Sequence, residues 1–353
     1  MKEAVRQVEI AGHRIGPGQP CFIIAEAGVN HNGDIQMAKR LVEAAARAGA
    51  SAVKFQTFKA EHLVTPDAPK AGYQKEAAGS AESQFDMLRR LELSPETHMS
   101  LRDYCSQQGI LFMSTPFDEE SADFLDRLGV PVFKLPSGEL TNLPFLAHVG
   151  CKGRPMIVST GMSNLEEVSA AVRIIEEAGN RDLILLHCVS DYPANPADAN
   201  LRAMGTMSET FRVPVGYSDH TLGIEVAMAA VALGACVIEK HFTLDRNLPG
   251  PDHKASLEPG ELAALVRGIR IVEAALGHGR KEPAASEASA AAVARRSIVA
   301  AHDIPAGARL TGDMLTIKRP GTGLAPAMWS HLVGRIATRD IPANTILTWE
   351  MIR

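Results

Sequence analysis

Two stretches decide the fold: VPVGYSDHTLG at residues 213–223 and VIEKHFTLDRNLPGPDHKAS at residues 237–256. Each opens on a short apolar run that reads as a strand, and each run ends at a histidine, His220 and His241. Between them EVAMAAVALGA, residues 225–235, has helical composition and a glycine near its end. Strand, loop, helix, strand and loop in that order build a parallel sheet. In a closed barrel of such units both imidazoles stand at the C-terminal rim, on strands about 4.8 Å apart, close enough to share one cation. Asp219, Glu239, Asp245, Asp252 and His253 crowd the same loops.

Working outward, the same unit recurs. Apolar runs at 21–25, 52–58, 111–118, 132–139, 156–163 and 183–194 each precede a segment with helical spacing or composition. With the two opening strands this makes eight strand-then-helix units before residue 283, the pattern of a (β/α)8 TIM barrel. Asp34 and Ser94 are expected N-caps, Ser94 with Pro95 at the first helical position. Ser163 and Glu166 are expected to form a capping box. VEIAGHRIG, residues 8–16, reads as a hairpin turning at Ala11-Gly12 that covers the barrel bottom.

The polar residues carry the functional signal. Glu26, Lys54, Gln56, Thr115, Lys134, Ser137, Glu139, Ser159, Ser218, His220, Glu239 and His241 all fall at or just past C-terminal strand ends. That rim holds the active site in this architecture. Lys54, Lys134 and Lys240 with nearby serines suit a small, multiply charged anion.

Composition excludes other classes. The chain has 353 residues, with 36 Lys plus Arg against 41 Asp plus Glu, and no basic block, which argues against a nucleic-acid surface. Five separated cysteines with no CxxC pair read as buried thiols of a reducing, cytoplasmic setting. No apolar run is long enough to span a bilayer, and residues 1–20 lack a signal-peptide core.

Residues 59–93, rich in small and polar side chains, read as a lid over the rim. An Ala/Ser-rich linker at 284–294 separates a barrel domain, 1–283, from a small, mainly β domain, 295–353. The latter holds a weak repeat, HDIPAGARLTGDML at 302–315 and RDIPANTILTWEMI at 339–352.

IAEAGVNHNGD, VKFQTF, STPFD, KLPSGELTNLPFL, STGMS, LLHC, GYSDHTLG and EKHFTLDRNLPGPDHKAS together resemble the sialic acid (N-acetylneuraminate) synthases and the related legionaminic acid synthases. KRPGTG at 318–323 resembles the SAF, or antifreeze-like, domain of that family. The resemblance covers essentially the whole chain. It implies a barrel plus small domain in a swapped homodimer. It also implies that phosphoenolpyruvate (PEP) condenses with an N-acylated amino-hexose, with release of phosphate, and that Mn²⁺ or Mg²⁺ is required. By resemblance His220 and His241 are metal ligands, and Lys54, Lys134, Ser137, Ser159 and Ser218 hold PEP. Thr115 stands at the same rim, and Glu26 lies beside the metal and its water. Gln56, Glu139, Tyr192 and Asp252 face the sugar, and Arg319 reaches the partner's site. N-acetylmannosamine and its 2,4-diacetamido-6-deoxy analogue are both open as the sugar.

Overall fold

The computed structural model describes residues 5–69 and 83–353 and divides into two compact units, Met1–Gly277 and His278–Arg353. The first opens with the expected hairpin. β1 (Val8–Ile10) and β2 (His13–Ile15) pair antiparallel around Ala11 and Gly12, both at positive φ as a tight two-residue turn requires. Eight strands then form a parallel sheet. They are β3 (Phe22–Gly28), β4 (Ala52–Thr57), β5 (Leu111–Pro116), β6 (Phe133–Leu135), β7 (Met156–Ser159), β8 (Leu183–Cys188), β9 (Val215–Asp219) and β10 (Val237–His241).

Their order is β5-β4-β3-β10-β9-β8-β7-β6, and the end strands β5 and β6 lie side by side, so the sheet rolls into a near-closed TIM-like barrel. β6 is three residues long, with Pro131 just upstream and Pro136 just after it. Proline donates no ladder hydrogen bond, which fits a seam that is packed but not paired. Among the described residues no helix is long and apolar enough to cross a membrane.

Alternation along the strands divides the barrel interior into layers. Phe22, Ile24, Ala52, Met113, Ile157, Ile184 and Val237 form an apolar lower layer, and Val8, Ile10 and Ile15 of the hairpin pack beneath it. Two residues further along the same inward faces come Glu26, Lys54, Thr115, Ser159 and Glu239, all buried. The opposite faces, including Ile23, Ala25, Val53, Phe55, Phe133 and Ile238, pack against the helices. A period of two thus places hydrocarbon at the bottom and charge at the top of one interior.

Local signals hold in part. Asp34 accepts from the Gln36 N–H before the helix Ile35–Ala48, and Ser94 from the Thr97 N–H before Pro95–Gln108. The capping box before Leu165–Glu177 is made by Asn164 and Glu167, not by Ser163 and Glu166. Ser163 Oγ instead donates to the Gly161 carbonyl, so the next residue supplies the cap.

The linker run belongs to the second unit and is partly helical, at Ala288–Ala294. That unit has only two regular strands, β11 (Ser297–Ala300) and β12 (Leu315–Lys318), supplemented by isolated bridges. The repeat is realised as a reciprocal pair. Ile304 and Ile341 exchange both backbone hydrogen bonds at 2.8 Å. Asp303 Oδ1 accepts from the Ala343 N–H and Asp340 Oδ1 from the Ala306 N–H, each at 2.7 Å. Gly307 and Asn344 then take positive φ at equivalent positions. Asp303→Ala or Asp340→Ala strips a backbone donor of a charged acceptor and is expected to lower stability by about 1–2 kcal/mol. Denaturant unfolding of the full chain measures this, and a smaller loss for the second substitution than for the first would show that the two bonds act as one unit.

Candidate active site

The site is built at the C-terminal strand ends. β3 and β4 run in register through Glu26↔Lys54, then shift so that Gly28 faces Phe55. Gly28 has φ 51°, and a Cβ there would lie 3.2 Å from Glu26 Oε1 and 3.4 Å from Gln56 Nε2. Glycine at this bulge leaves room for both side chains.

Lys54 Nζ lies 2.6 Å from Glu26 Oε2, 2.7 Å from Thr115 Oγ1 and 3.9 Å from Glu239 Oε2. Lys134 Nζ lies 3.2 Å from Glu239 Oε1 and 2.8 Å from Ser159 Oγ. Ser218 Oγ donates to Glu239 Oε1 at 3.1 Å. Two lysines and two carboxyl groups are thus buried together. Their responses differ. Burial opposes the charge of Glu239, but Lys134 and Lys54 outweigh it and bring its pKa down to about 2. Glu26 faces chiefly Lys54, and burial prevails, raising its pKa to about 7. Glu26 can therefore hold or release a proton near neutrality.

The imidazole rings of His220 and His241 lie 5.6 Å apart, with the Tyr192 ring 4.1 Å from that of His220. His220 Nδ1 donates to the Val189 carbonyl at 2.8 Å; a carbonyl only accepts, so in the neutral ring Nε2 is the bare nitrogen. Burial opposes a charge on His220, but contacts with the Cys188 thiol and the Val189 carbonyl raise its pKa. His241 is buried, its Nδ1 has no hydrogen-bond partner among the described residues, and burial with the neighbouring His220 holds its pKa well below the usual value. Both rings fit a two-imidazole half-site that leaves other coordination positions open. No group of three or more His, Cys, Asp or Glu among the described residues is arranged around one point. Asp252, with its pKa pushed up to about 6 by burial, lines the same space.

That space is a cavity of about 400 Å³. Its floor is the charged layer together with Gln56, Ser137, Ser159, Ser218 and Tyr192. Apolar side chains of Val29, Leu63, Met87, Leu91, Phe117 and Met162 also line the cavity, with polar Gln84 and Ser190 among them. Larger clefts of about 730 Å³ open near the N-terminal strand ends, away from every paired charge described here.

Most expected site residues therefore converge. Three do not. Lys240 faces outward, because Glu239 and His241 on either side face inward, and it is held by Asp219 Oδ2 and the Thr221 carbonyl, both at 2.7 Å. Glu139 accepts from Asn142 Nδ2 at 2.7 Å and does not line the cavity. Arg319 is exposed on the second unit, directly after β12. Gln84, Met87, Leu88 and Leu91 of the helix Gln84–Leu91 and residues Leu63 and Val64 line the cavity, so both flanks of the expected lid do so; 70–82, its middle, lies outside the described residues.

The sequence reading missed Ser190 and Cys188, which line the cavity. It also missed Gly161, whose N–H donates to Ser137 Oγ at 2.9 Å; a Cβ there would come within 2.8 Å of that oxygen. The adjacency of LLHC to a strand end was the available signal.

A raised Glu26 pKa means that the folded protein prefers the protonated acid, so ionising it as pH climbs through about 7 weakens the fold. Glu26→Gln removes that cost. Its melting temperature relative to the unsubstituted protein should therefore rise from pH 5 to pH 8, while turnover falls roughly 10²–10⁴-fold. Differential scanning at both pH values decides the point; a constant difference would mean that Glu26 is ionised throughout.

The chain matches the NeuB family model over residues 41–281 and the SAF domain model over residues 295–353. It is 51% identical to the N,N'-diacetyllegionaminic acid synthase of Legionella pneumophila over 341 residues, 96% of each chain. It is 42% identical to the N-acetylneuraminate-9-phosphate synthase of Mus musculus, covering 87% of this chain and 85% of that one. The crystal structure of the N-acetylneuraminic acid synthetase of Leptospira borgpetersenii, in complex with citrate, superposes with a TM-score of 0.73 at 38% identity, covering 82% of this chain and 96% of that one. With both models matched and these relatives aligned along nearly their whole length, the chain belongs to the NeuB family of sialic and legionaminic acid synthases, PEP-dependent condensing enzymes, and carries a C-terminal SAF domain.

Proposed function

We propose that this chain joins C3 of PEP to the aldehyde carbon of an N-acylated amino-hexose, with water adding at C2 and phosphate leaving, to give a nine-carbon 2-keto acid. The observation that carries this is the buried pair Lys54 and Lys134, both reaching hydroxyls and carboxylates on the cavity floor beside two imidazoles. A phosphate and a carboxylate on one small molecule need two such cations, and the serine hydroxyls add donors. Glu26, at the other end of Lys54, is placed to take a proton from the water that captures C2. His220 and His241 would hold the divalent cation, Mn²⁺ or Mg²⁺, which when bound supplies Lewis acidity toward the aldehyde oxygen.

N-acetylmannosamine as the sugar gives N-acetylneuraminate. The 2,4-diacetamido-6-deoxy analogue gives N,N'-diacetyllegionaminate, and the apolar side chains lining the cavity favour this second reading. Val29, Leu63, Met87 and Leu91 suit the methyl groups of a second acetamide and a deoxy C6 better than a polar hydroxymethyl. The Legionella relative supports it as well.

The working unit proposed is a cytoplasmic homodimer in which the small domain completes the partner's site. Charge supports it: the unit His278–Arg353 has ten Lys and Arg against six Asp and Glu, which leaves 26 against 35 in the barrel unit. Met162, 72% exposed at positive φ, lines the cavity as an exposed apolar side chain.

Phosphate release from PEP should occur only when a sugar is present, and side-by-side kcat/KM for the two sugars identifies the substrate. EDTA should abolish release, and Mn²⁺ or Mg²⁺ should restore it; full activity in EDTA would remove the metal from the reading. Lys54→Ala and Lys134→Ala should each cost about 2–4 kcal/mol in kcat/KM for PEP. The swapped site is tested by mixing His241→Ala with Arg319→Ala. Random re-pairing puts half the protein in mixed dimers with one intact site each, so roughly a quarter of full activity should return. No recovery after demonstrated subunit exchange rejects the swap.

A further inference from the structure

Two motifs are only partly used by this reading, through Val29 and Asp252: VNHNGD at 29–34 and PGPDHKAS at 249–256. They are more than two hundred residues apart, yet they interlock beside the cavity. Asn30 is 1% exposed, and its Nδ2 donates to the Phe242 carbonyl and to Ser256 Oγ, both at 2.9 Å. Ser256 Oγ in turn donates to the Asp252 carbonyl at 2.6 Å. The orientation of the amide follows from its partners. A carbonyl cannot donate, and the hydroxyl proton is already committed, so only the NH₂ group fits that side. Asn30 Oδ1 is left buried with no partner among the described residues. An apolar side chain would fill the space without that penalty, so the two donated bonds are what the position supplies.

The bonds act on a short segment with two ends in the site. Phe242 follows His241, and Ser256 closes the turn that begins at Asp252. The packing there is tight: a Cβ on Gly250 would lie 2.7 Å from the His253 ring and 2.8 Å from Asn32 Oδ1. On its other side the Asn30 loop touches the cavity wall. Val29 packs with Met87 and Leu91, and a Cβ on Gly33 would lie 2.9 Å from the Arg90 carbonyl.

We propose that Asn30 is a positioning residue for the sugar half of the site, riveting the Asp252-bearing loop to β3 through Phe242 and Ser256. The inference rests on the synthase reading for what Asp252 does, namely accept a hydrogen bond from the sugar. The rivet itself does not depend on that reading.

Asn30→Ala and the isosteric Asn30→Asp both remove the two donors. Each should raise the KM for the sugar about ten-fold or more while the KM for PEP stays within about two-fold. Ser256→Ala should do the same in part, and Ser256→Thr, which keeps the hydroxyl, should restore it. In hydrogen exchange on the full chain without substrates, amides 250–257 should exchange faster in both Asn30 variants. Unchanged exchange there, or equal losses for sugar and PEP, overturns the proposal. If the unsubstituted protein turned over no sugar, the synthase reading would fall, and the exchange result would still decide the rivet.

Discussion

Four charges out of water set the terms for the rest of the molecule. Glu26, Lys54, Lys134 and Glu239 are each at most 5% exposed. Removing an ion from water costs several kcal/mol, and only close opposite charges and donated hydrogen bonds offset it. The contacts that do so, from 2.6 to 3.9 Å, cross four different strands. They exist only while the barrel holds those strand ends together. The rigid apolar layer beneath, closed by the β1–β2 hairpin, is therefore a condition of the chemistry above it.

The quartet also holds two unlike carboxyl groups. The two respond differently to burial. The two lysines beside Glu239 draw its pKa down against burial, while burial pushes that of Glu26 up. Small residues make this crowding possible. Gly28 and Gly161 stand where a methyl group would touch the carboxylate of Glu26 or the hydroxyl of Ser137.

The second unit reaches stability by another route. It has few ladder hydrogen bonds and is basic where the barrel is acidic. Its two Asp-Ile-Pro-Ala segments tie each other's turns, so an internal duplication substitutes for a larger sheet. Arg319 is exposed just after β12.

Much was legible before any coordinates. Strand periodicity placed Glu26, Lys54, Lys134, Ser159, Ser218, His220 and His241 at one rim, because a period of two and parallel strands leave little freedom once the barrel is assumed. Turn and cap chemistry placed the hairpin at Ala11-Gly12 and the caps at Asp34 and Ser94, since those signals are local. Periodicity could equally have excluded Lys240, because alternation turns it away from its neighbours. Glu139 escaped because the chain leaves β6 in a 3-10 turn, where strand alternation no longer applies. What only the tertiary structure decided is which groups touch across strands: that Lys54 lies between two carboxylates, that Glu26 and not Glu239 has its pKa raised, and that Asn30 fastens a loop more than two hundred residues away. Such contacts depend on burial and on distances of a few tenths of an ångström between segments remote in sequence, and no local pattern encodes either quantity.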